Sequence, residues 1–335
     1  MSKLHMLASV GLCVLALAPP LAARAADSNT VGEVVVTATK TGATNLQKTA
    51  ISVDVVGSQD LKKEGIETFR DLQNEVPSLK LHVSGTNPRV FIRGIGGFNA
   101  NDGDVSLYLD GVYLARDTAV TQSTFNDLNR IEVVEGPQGT VFGRNSTGGA
   151  VNFVSQTPSD HFTFNNSLSV GNYSLIDEQA SISGPLADNM QASLSFSHLQ
   201  HLGYLHNVLG AGDPDAANRY GVRGQLRWEP TSDITNTVRA DYIYTNEMWQ
   251  TNQVFLSNLN GKINFSPLTQ SYIGNLRDVV YAIPPYNHEQ AYGVSDEFNW
   301  KFNDHLSLKS ISAGRTDFSV EDQGSPTEYV YSFGQ

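Results

Sequence analysis

The sequence predicts two folded parts: a small α+β domain, then antiparallel strands of the type that build a transmembrane β-barrel. Three observations carry this. Asp110-Gly111, flanked by alternating apolar residues from Val105 to Leu114, is a hairpin signal. A short strand at Ile131–Val134 runs into a glycine-rich stretch. After Pro158 the texture changes to segments of about ten residues with period-two alternation, separated by turns.

The first 25 residues read as a signal peptide, with Lys3 at its start, an apolar run from Met6 to Ala18, and Ala23-Arg24-Ala25 as the cleavage site. The apolar run is shorter than the roughly 20 residues a membrane-spanning helix needs. Cys13, the one cysteine of the chain, lies inside this segment. A mature chain would therefore have no thiolate metal site and no cysteine nucleophile. The 22 basic residues less Lys3 and Arg24 leave 20, against 34 acidic ones, for a net charge of −14. Nucleic acid is thereby excluded as a partner, because phosphates demand clustered Lys and Arg.

Residues 26–44 form a polar segment interrupted only by Val34-Val35-Val36. Residues 45–158 then read as the α+β domain. Ile51–Val56 is a strand, and Ser58 and Thr68 are placed to cap two short helices. Thr68 has Asp71 three residues on, as in a capping box, and Pro77 ends the second helix.

Residues 159–335 supply seven strands, near 161–171, 175–184, 190–203, 219–229, 234–246, 290–302 and 306–319. In Tyr220–Trp228 the apolar Tyr220, Val222, Leu226 and Trp228 share one face, and Arg223, Gln225 and Arg227 share the other. Asp296 intrudes on the apolar face of a later strand. Short turns fall at 185–189, 229–233 and 302–305, and long loops at 204–218 and 247–289. Such alternation suits an up-and-down barrel with its short turns on the periplasmic side. A soluble β-sandwich would not require it.

Three stretches together resemble the TonB-dependent outer-membrane receptors: Glu33-Val-Val-Val-Thr-Ala38, Val90-Phe-Ile-Arg-Gly-Ile-Gly-Gly97, and Arg130 through Val154 with its Glu-Gly-Pro-Gln-Gly core. The resemblance implies a plug domain inside a 22-stranded barrel. It makes Glu33, Val34, Val35, Val36, Thr37 and Ala38 the TonB box, which an energised inner-membrane protein grips. Strand addition is the physics of such a grip, and β-branched residues favour the extended state it needs. It also implies that Arg93 and Arg144, with Arg130 at a third shared position, latch the plug to glutamates of the barrel wall. The family's glutamates lie on late strands; Glu297 and Asp241 are the substitutes this chain offers. Ligand-facing residues are expected on two outward plug loops, at Phe98, Asn99, Asn101 and Asp102 and at Arg116 and Asp117, with Ser84–Asn87 a third candidate.

Several other readings are excluded or set aside. Gly139 and Gly143 enclose three residues and are followed by Arg144-Asn145, which is not the phosphate-cradling P-loop spacing. The glycines are read as conformational. His198, His201 and His206 are read as interfacial and loop histidines rather than a haem or metal site, since alternate strand residues point to opposite faces. No catalytic constellation and no cofactor is expected.

The resemblance implies TonB-dependent import of a scarce nutrient, a ferric siderophore or similar iron complex, across the Gram-negative outer membrane. The partners would be the TonB protein, outer-membrane lipid and the small-molecule substrate, with the receptor a monomer and its plug facing the periplasm. At roughly 25 residues per strand, a 22-stranded barrel needs about 550 residues. The chain is therefore read as an N-terminal fragment that transports nothing alone. The alternatives are a non-transporting periplasmic or outer-membrane binding module, a truncated relic, and a barrel enzyme, whose site is not visible in these strands.

Overall fold

The computed structural model describes residues 35–36, 44–45, 51–66, 69–84, 87–96, 104–114, 127–207, 210, 212–248, 277–279, 283–284 and 286–322. Within them the chain opens on a two-residue ladder, β1 (Val35–Val36) antiparallel to β2 (Thr44–Asn45). The plug follows: β3 (Val53–Gly57), α1 (Ser58–Lys63), α2 (Phe69–Glu75), β4 (Leu79–Ser84), β5 (Asn87–Ile92), β6 (Val105–Leu109), β7 (Val112–Tyr113), β8 (Leu128–Glu135), α3 (Gly139–Phe142) and β9 (Gly149–Ser155). Its main sheet runs in the order β3-β8-β9-β6-β7 and is mixed, with β6 parallel to β9. β4 and β5 form a separate hairpin.

Local sequence accounts for most of these elements. Asp110 and Gly111 both take positive φ, 51° and 82°, the geometry a two-residue primed turn requires. Asp60 in the first turn of α1 and Lys62 and Lys63 in the last suit the helix dipole. Ser58, expected as the cap, is instead the first helical residue; Gly57 holds the cap position without a side-chain hydrogen bond. Thr68 lies outside the described residues. α2 ends before Pro77, as expected.

β8, buried on both faces from Ile131 to Val134, and the two short helices build one continuous core, including Phe69, Leu72, Val76, Leu79, Ile131 and Phe153. Phe69 and Phe153 meet at 5.8 Å between ring centroids. Ile243 and Ala291, both from the strands that follow the plug, belong to the same cluster. A smaller group of Tyr108, Val134, Phe142 and Ala150 packs under α3, where the Tyr108 hydroxyl donates to the Phe142 carbonyl.

The second half is a seven-stranded antiparallel sheet in chain order: β10 (Thr163–Gly171), β11 (Leu175–Ala187), β12 (Met190–His201), β14 (Ala216–Thr231), β15 (Ile234–Met248), β17 (Tyr286–Lys301) and β18 (Ser307–Asp322). All seven coincide with the predicted strands, several extending two to four residues further and β10 and β12 each two residues shorter. β13 (His206–Asn207) and β16 (Asp278–Val279) pair in parallel and tie the two long loops together. The turn at 172–174 is short although it lies at the same end as those loops, so the alternation of connection lengths is not strict.

Side-chain parity follows the sequence. Leu194, Val222, Leu226, Val238, Tyr292 and Val294 are exposed on one face, as a lipid-facing surface requires. Near the short turns that face ends in Trp228, Trp300 and Phe302. Near the other end a row of rings crosses four strands: His198 stacks on Tyr220 at 4.4 Å, Tyr220 meets Tyr244 at 5.8 Å, and Tyr244 meets His288 at 5.2 Å. Both are positions for aromatic girdles. Asp296, the residue that breaks the apolar pattern, accepts a 2.7 Å hydrogen bond from Asn236 of the neighbouring strand. The opposite face carries Arg219, Arg223, Arg239, Asp241 and Glu297 and meets the plug.

Candidate functional site

Of the expected TonB-box residues, Val35 and Val36 are described, and both are extended. They pair with Asn45 and Thr44, and β1 has no second strand partner among the described residues. Glu33, Val34, Thr37 and Ala38 lie outside the described residues.

The three motif arginines are distributed differently from the expectation. Arg93 has a positive φ of 53°, and its amide donates to the Ser78 carbonyl at 2.8 Å. Its guanidinium pairs with Glu135 and reaches the Ser52 hydroxyl at 3.3 Å, both within the plug. Ser52 also donates to Glu135 at 2.6 Å. Burial pushes the Glu135 carboxyl up, but the Ser52 hydroxyl and the Arg93 charge outweigh it and hold the group below its ordinary range. Asp54 beside it is raised, by burial first and then by the Glu135 charge, against the pull of Arg93. Arg130 donates to Glu132 at 2.8 Å, on its own strand. Glu132 is fully buried and also accepts from Asn152 at 3.1 Å. Arg144 is exposed.

Neither barrel carboxylate expected as a substitute partner meets a plug arginine. Glu297 pairs with Arg239 at 3.2 Å and with Lys309 at 2.8 Å. Asp241 holds Arg315 through two hydrogen bonds of 2.8 and 2.9 Å. The physical reason is proximity. Each acid faces a cation on an adjacent or next-adjacent wall strand, and inward-pointing side chains at matched register meet first.

Contact between plug and wall instead runs through plug acids and wall arginines. Arg223 donates to Asp127 at 2.8 Å and to the Ser155 hydroxyl at 3.0 Å. Ser195 donates to the other Asp127 oxygen at 3.1 Å. Gln225 donates to the Gln156 carbonyl at 3.1 Å. Asp110, held by the Ser155 amide and hydroxyl at 2.8 Å each, stands 3.5 Å from Arg239. Sequence reasoning missed these residues. Its available signal was the inward row of arginines at odd positions of β14, which required acidic partners once buried.

The outward plug loops carrying Phe98, Asn99, Asn101, Asp102, Arg116 and Asp117 lie outside the described residues, as do residues 85–86 between Ser84 and Asn87. The three histidines are not brought together. His198 stacks on Tyr220, His201 stacks on Tyr204 at 4.5 Å, and His206 stands 3.6 Å from Asp213. No cluster of three or more metal-ligating side chains occurs among the described residues.

Comparisons with known proteins agree with this architecture. Residues 45–150 match the TonB-dependent Receptor Plug Domain. The chain is 30% identical over 163 residues to the pesticin receptor of Yersinia pestis, covering 47% of this chain and 23% of that one. It is 28% identical over 215 residues to the ferrioxamine B receptor of Salmonella typhimurium, covering 62% of this chain and 29% of the relative. The chain thus spans about a quarter of the length of these curated relatives. Among solved structures, the ferric yersiniabactin uptake receptor FyuA from Yersinia pestis superposes with a TM-score of 0.68 at 20% identity, over 81% of this chain and 41% of that one. The Fiu import receptor of E. coli K12, in its open form, gives 0.64 at 16% identity over 82% and 40%. Residues 45–150 are thus a plug domain of the TonB-dependent receptor type, and the seven strands on which it is seated share their fold with the solved outer-membrane receptors.

Proposed function

We propose that this chain is the plug and leading barrel segment of a receptor that imports an iron–siderophore complex, using energy delivered by TonB to the Glu33–Ala38 segment. The observation that carries the reading is the plug itself: a mixed sheet matching the family over residues 45–150 and packed on the polar face of antiparallel strands whose other face is apolar. Relatives of the chain support the cargo class, since they are receptors for ferrioxamine B and for catecholate siderophores.

In this reading the residues 26–44 hang on the periplasmic side, the plug of 45–158 closes the lumen, and 159–335 build the first part of the wall. Binding at the outward plug loops, with Phe98, Asn99, Asn101, Asp102, Arg116 and Asp117 as the contact candidates, would free the box for its partner. Pulling on β1 then rearranges the plug. The partner adds a strand to Val35–Val36, so affinity comes from backbone hydrogen bonds. No bond of the substrate is made or broken. Arg93 and Arg144 retain a proposed role as latches to wall glutamates, with Arg130 bracing β8 through Glu132.

The test is uptake of radioactive iron by cells whose only outer-membrane receptor is the intact protein, with ferric hydroxamate and ferric catecholate complexes offered in parallel. Uptake that disappears when TonB is deleted supports the reading. Uptake of neither complex, with the receptor present in the membrane, refutes the cargo class.

A further inference from the structure

We infer that Asp127 is the residue that seats the plug on the early barrel wall, and that its contact with Arg223 must open before β8 and β9 can leave that wall. The inference rests on the transport reading only in supposing that the plug moves. The geometry is its own argument. Among the described residues, both hydrogen bonds to the Asp127 carboxylate come from the wall: Arg223 of β14 at 2.8 Å and Ser195 of β12 at 3.1 Å. Asp110 differs. Its carboxylate is satisfied inside the plug by Ser155, and Arg239 lies at the longer distance of 3.5 Å.

The Asp127–Arg223 pair is enclosed, with each side chain 13% exposed. A charge pair so shielded from water is strong while intact, and removing one partner strands the other. Position adds to this. Asp127 immediately precedes β8, and its carbonyl accepts from the Gln156 amide at 2.8 Å, at the point where the chain leaves β9 for the barrel. Gln156 is in turn held by Gln225, and Ser155 by Arg223. One side of the plug is therefore fastened to β12 and β14 at adjoining residues, with Asp127 supplying the charge. The polarity is the reverse of the arginine-to-glutamate latch that the motifs implied: the acid is on the plug and the guanidinium on the wall.

The experiment is hydrogen exchange on the intact protein in outer-membrane vesicles, comparing wild type with Asp127→Asn, Arg223→Gln and the double variant. Each single substitution is expected to raise exchange of the β8 and β9 amides about tenfold, with the β15 and β17 amides unchanged. The double variant should exceed the larger single effect by no more than about twofold, because contacting partners are not additive. Should Arg223→Gln fail to assemble, Ser195→Ala serves as the milder wall substitution; it is expected to speed β8 exchange in wild type and to add nothing on top of Asp127→Asn. Asp60→Asn, on the exposed face of α1, is the control and should match wild type. Exchange of β8 and β9 within about twofold of wild type in Asp127→Asn, or a double variant equal to the product of the singles, overturns the inference. Iron uptake by the wild-type protein is a separate readout. Coupled exchange without uptake keeps the anchor and removes the transport reading; uncoupled exchange with normal uptake does the reverse.

Discussion

Replacing Gly149 with alanine should strongly destabilise the plug while leaving the strands of the barrel segment paired. Gly149 opens β9, pairs with Glu135 on one side and Val105 on the other, and has a φ of +142°. A Cβ there would lie 2.1 Å from the Val134 carbonyl oxygen and 3.0 Å from Ile92 Cδ1. The closest ordinary carbon–oxygen approach between strands is about 3.3 Å, so the carbonyl would have to retreat by about 1 Å within the central ladder of the sheet. Backbone strain at a positive φ costs about 1–3 kcal/mol, and overpacking adds about 1–3 kcal/mol. Together they come to about 2–6 kcal/mol, which reaches the lower end of the stability of a small domain, about 5–15 kcal/mol. Gly136 calibrates the result. Its φ is +83° but a Cβ there meets nothing within 4 Å, so alanine should cost only the conformational part, about 1–2 kcal/mol. Urea titration of the protein in vesicles, followed by protease cleavage within the plug, measures both. The reasoning fails if Gly149→Ala shifts the plug by less than about 1 kcal/mol, or if Gly136→Ala proves the costlier of the two.

Three further outcomes are expected. Val35→Pro removes a donor from β1 and should abolish TonB-dependent uptake while substrate binding to whole cells stays unchanged; unaltered uptake by this variant removes the box assignment. Leu194→Arg places a charge on the exposed apolar face of β12 and should destabilise bilayer-inserted protein by about 2–4 kcal/mol in a refolding titration if it lies near the membrane midplane; no change would mean that this face does not meet lipid. Asp54→Asn should raise the urea midpoint of the plug at pH 7, with the gain shrinking toward pH 3. The raised Asp54 pKa means the folded plug binds this proton more tightly than the unfolded chain. Its contribution is therefore favourable at low pH and lost as pH rises through the raised value. Glu135 has the opposite sign, its contribution being present above the ordinary carboxyl range and lost as pH falls through the lowered value. A midpoint at pH 7 that falls in Asp54→Asn contradicts the first of these.

The strands were legible because two-residue periodicity is a local property: Tyr220, Val222, Leu226 and Trp228 declare the face of β14 without reference to any other element. The Asp110-Gly111 turn was legible for the same reason, since positive φ at both positions selects those residues. The β4–β5 hairpin was not. Leu79–Ser84 and Asn87–Ile92 pair with each other apart from the main sheet, and their composition resembles a loop next to a motif as much as a strand. The four-residue helix α3 was equally hidden inside the glycine-rich run, because Gly139 and the residues after it carry no cap and no helical period of their own.

Charge partners were legible only as a requirement, never as an identity. Parity shows that Arg223 and Arg239 face inward, and burial then demands a carboxylate for each. It does not say whether that acid is Glu297, two strands along the wall, or Asp127, nearly a hundred residues earlier in the plug. Register decides such questions on the wall: Glu297 sits opposite Thr237, close enough for Arg239, and Asp241 sits within reach of Arg315. With Arg219 held by Glu247 and Arg227 by Glu229 on the wall itself, Arg223 is the guanidinium of β14 that looks to the plug and finds Asp127. The plug acids are therefore part of the wall's own electrostatic balance. A substitution that neutralises Asp127 should be felt by β12 and β14 as well as by β8.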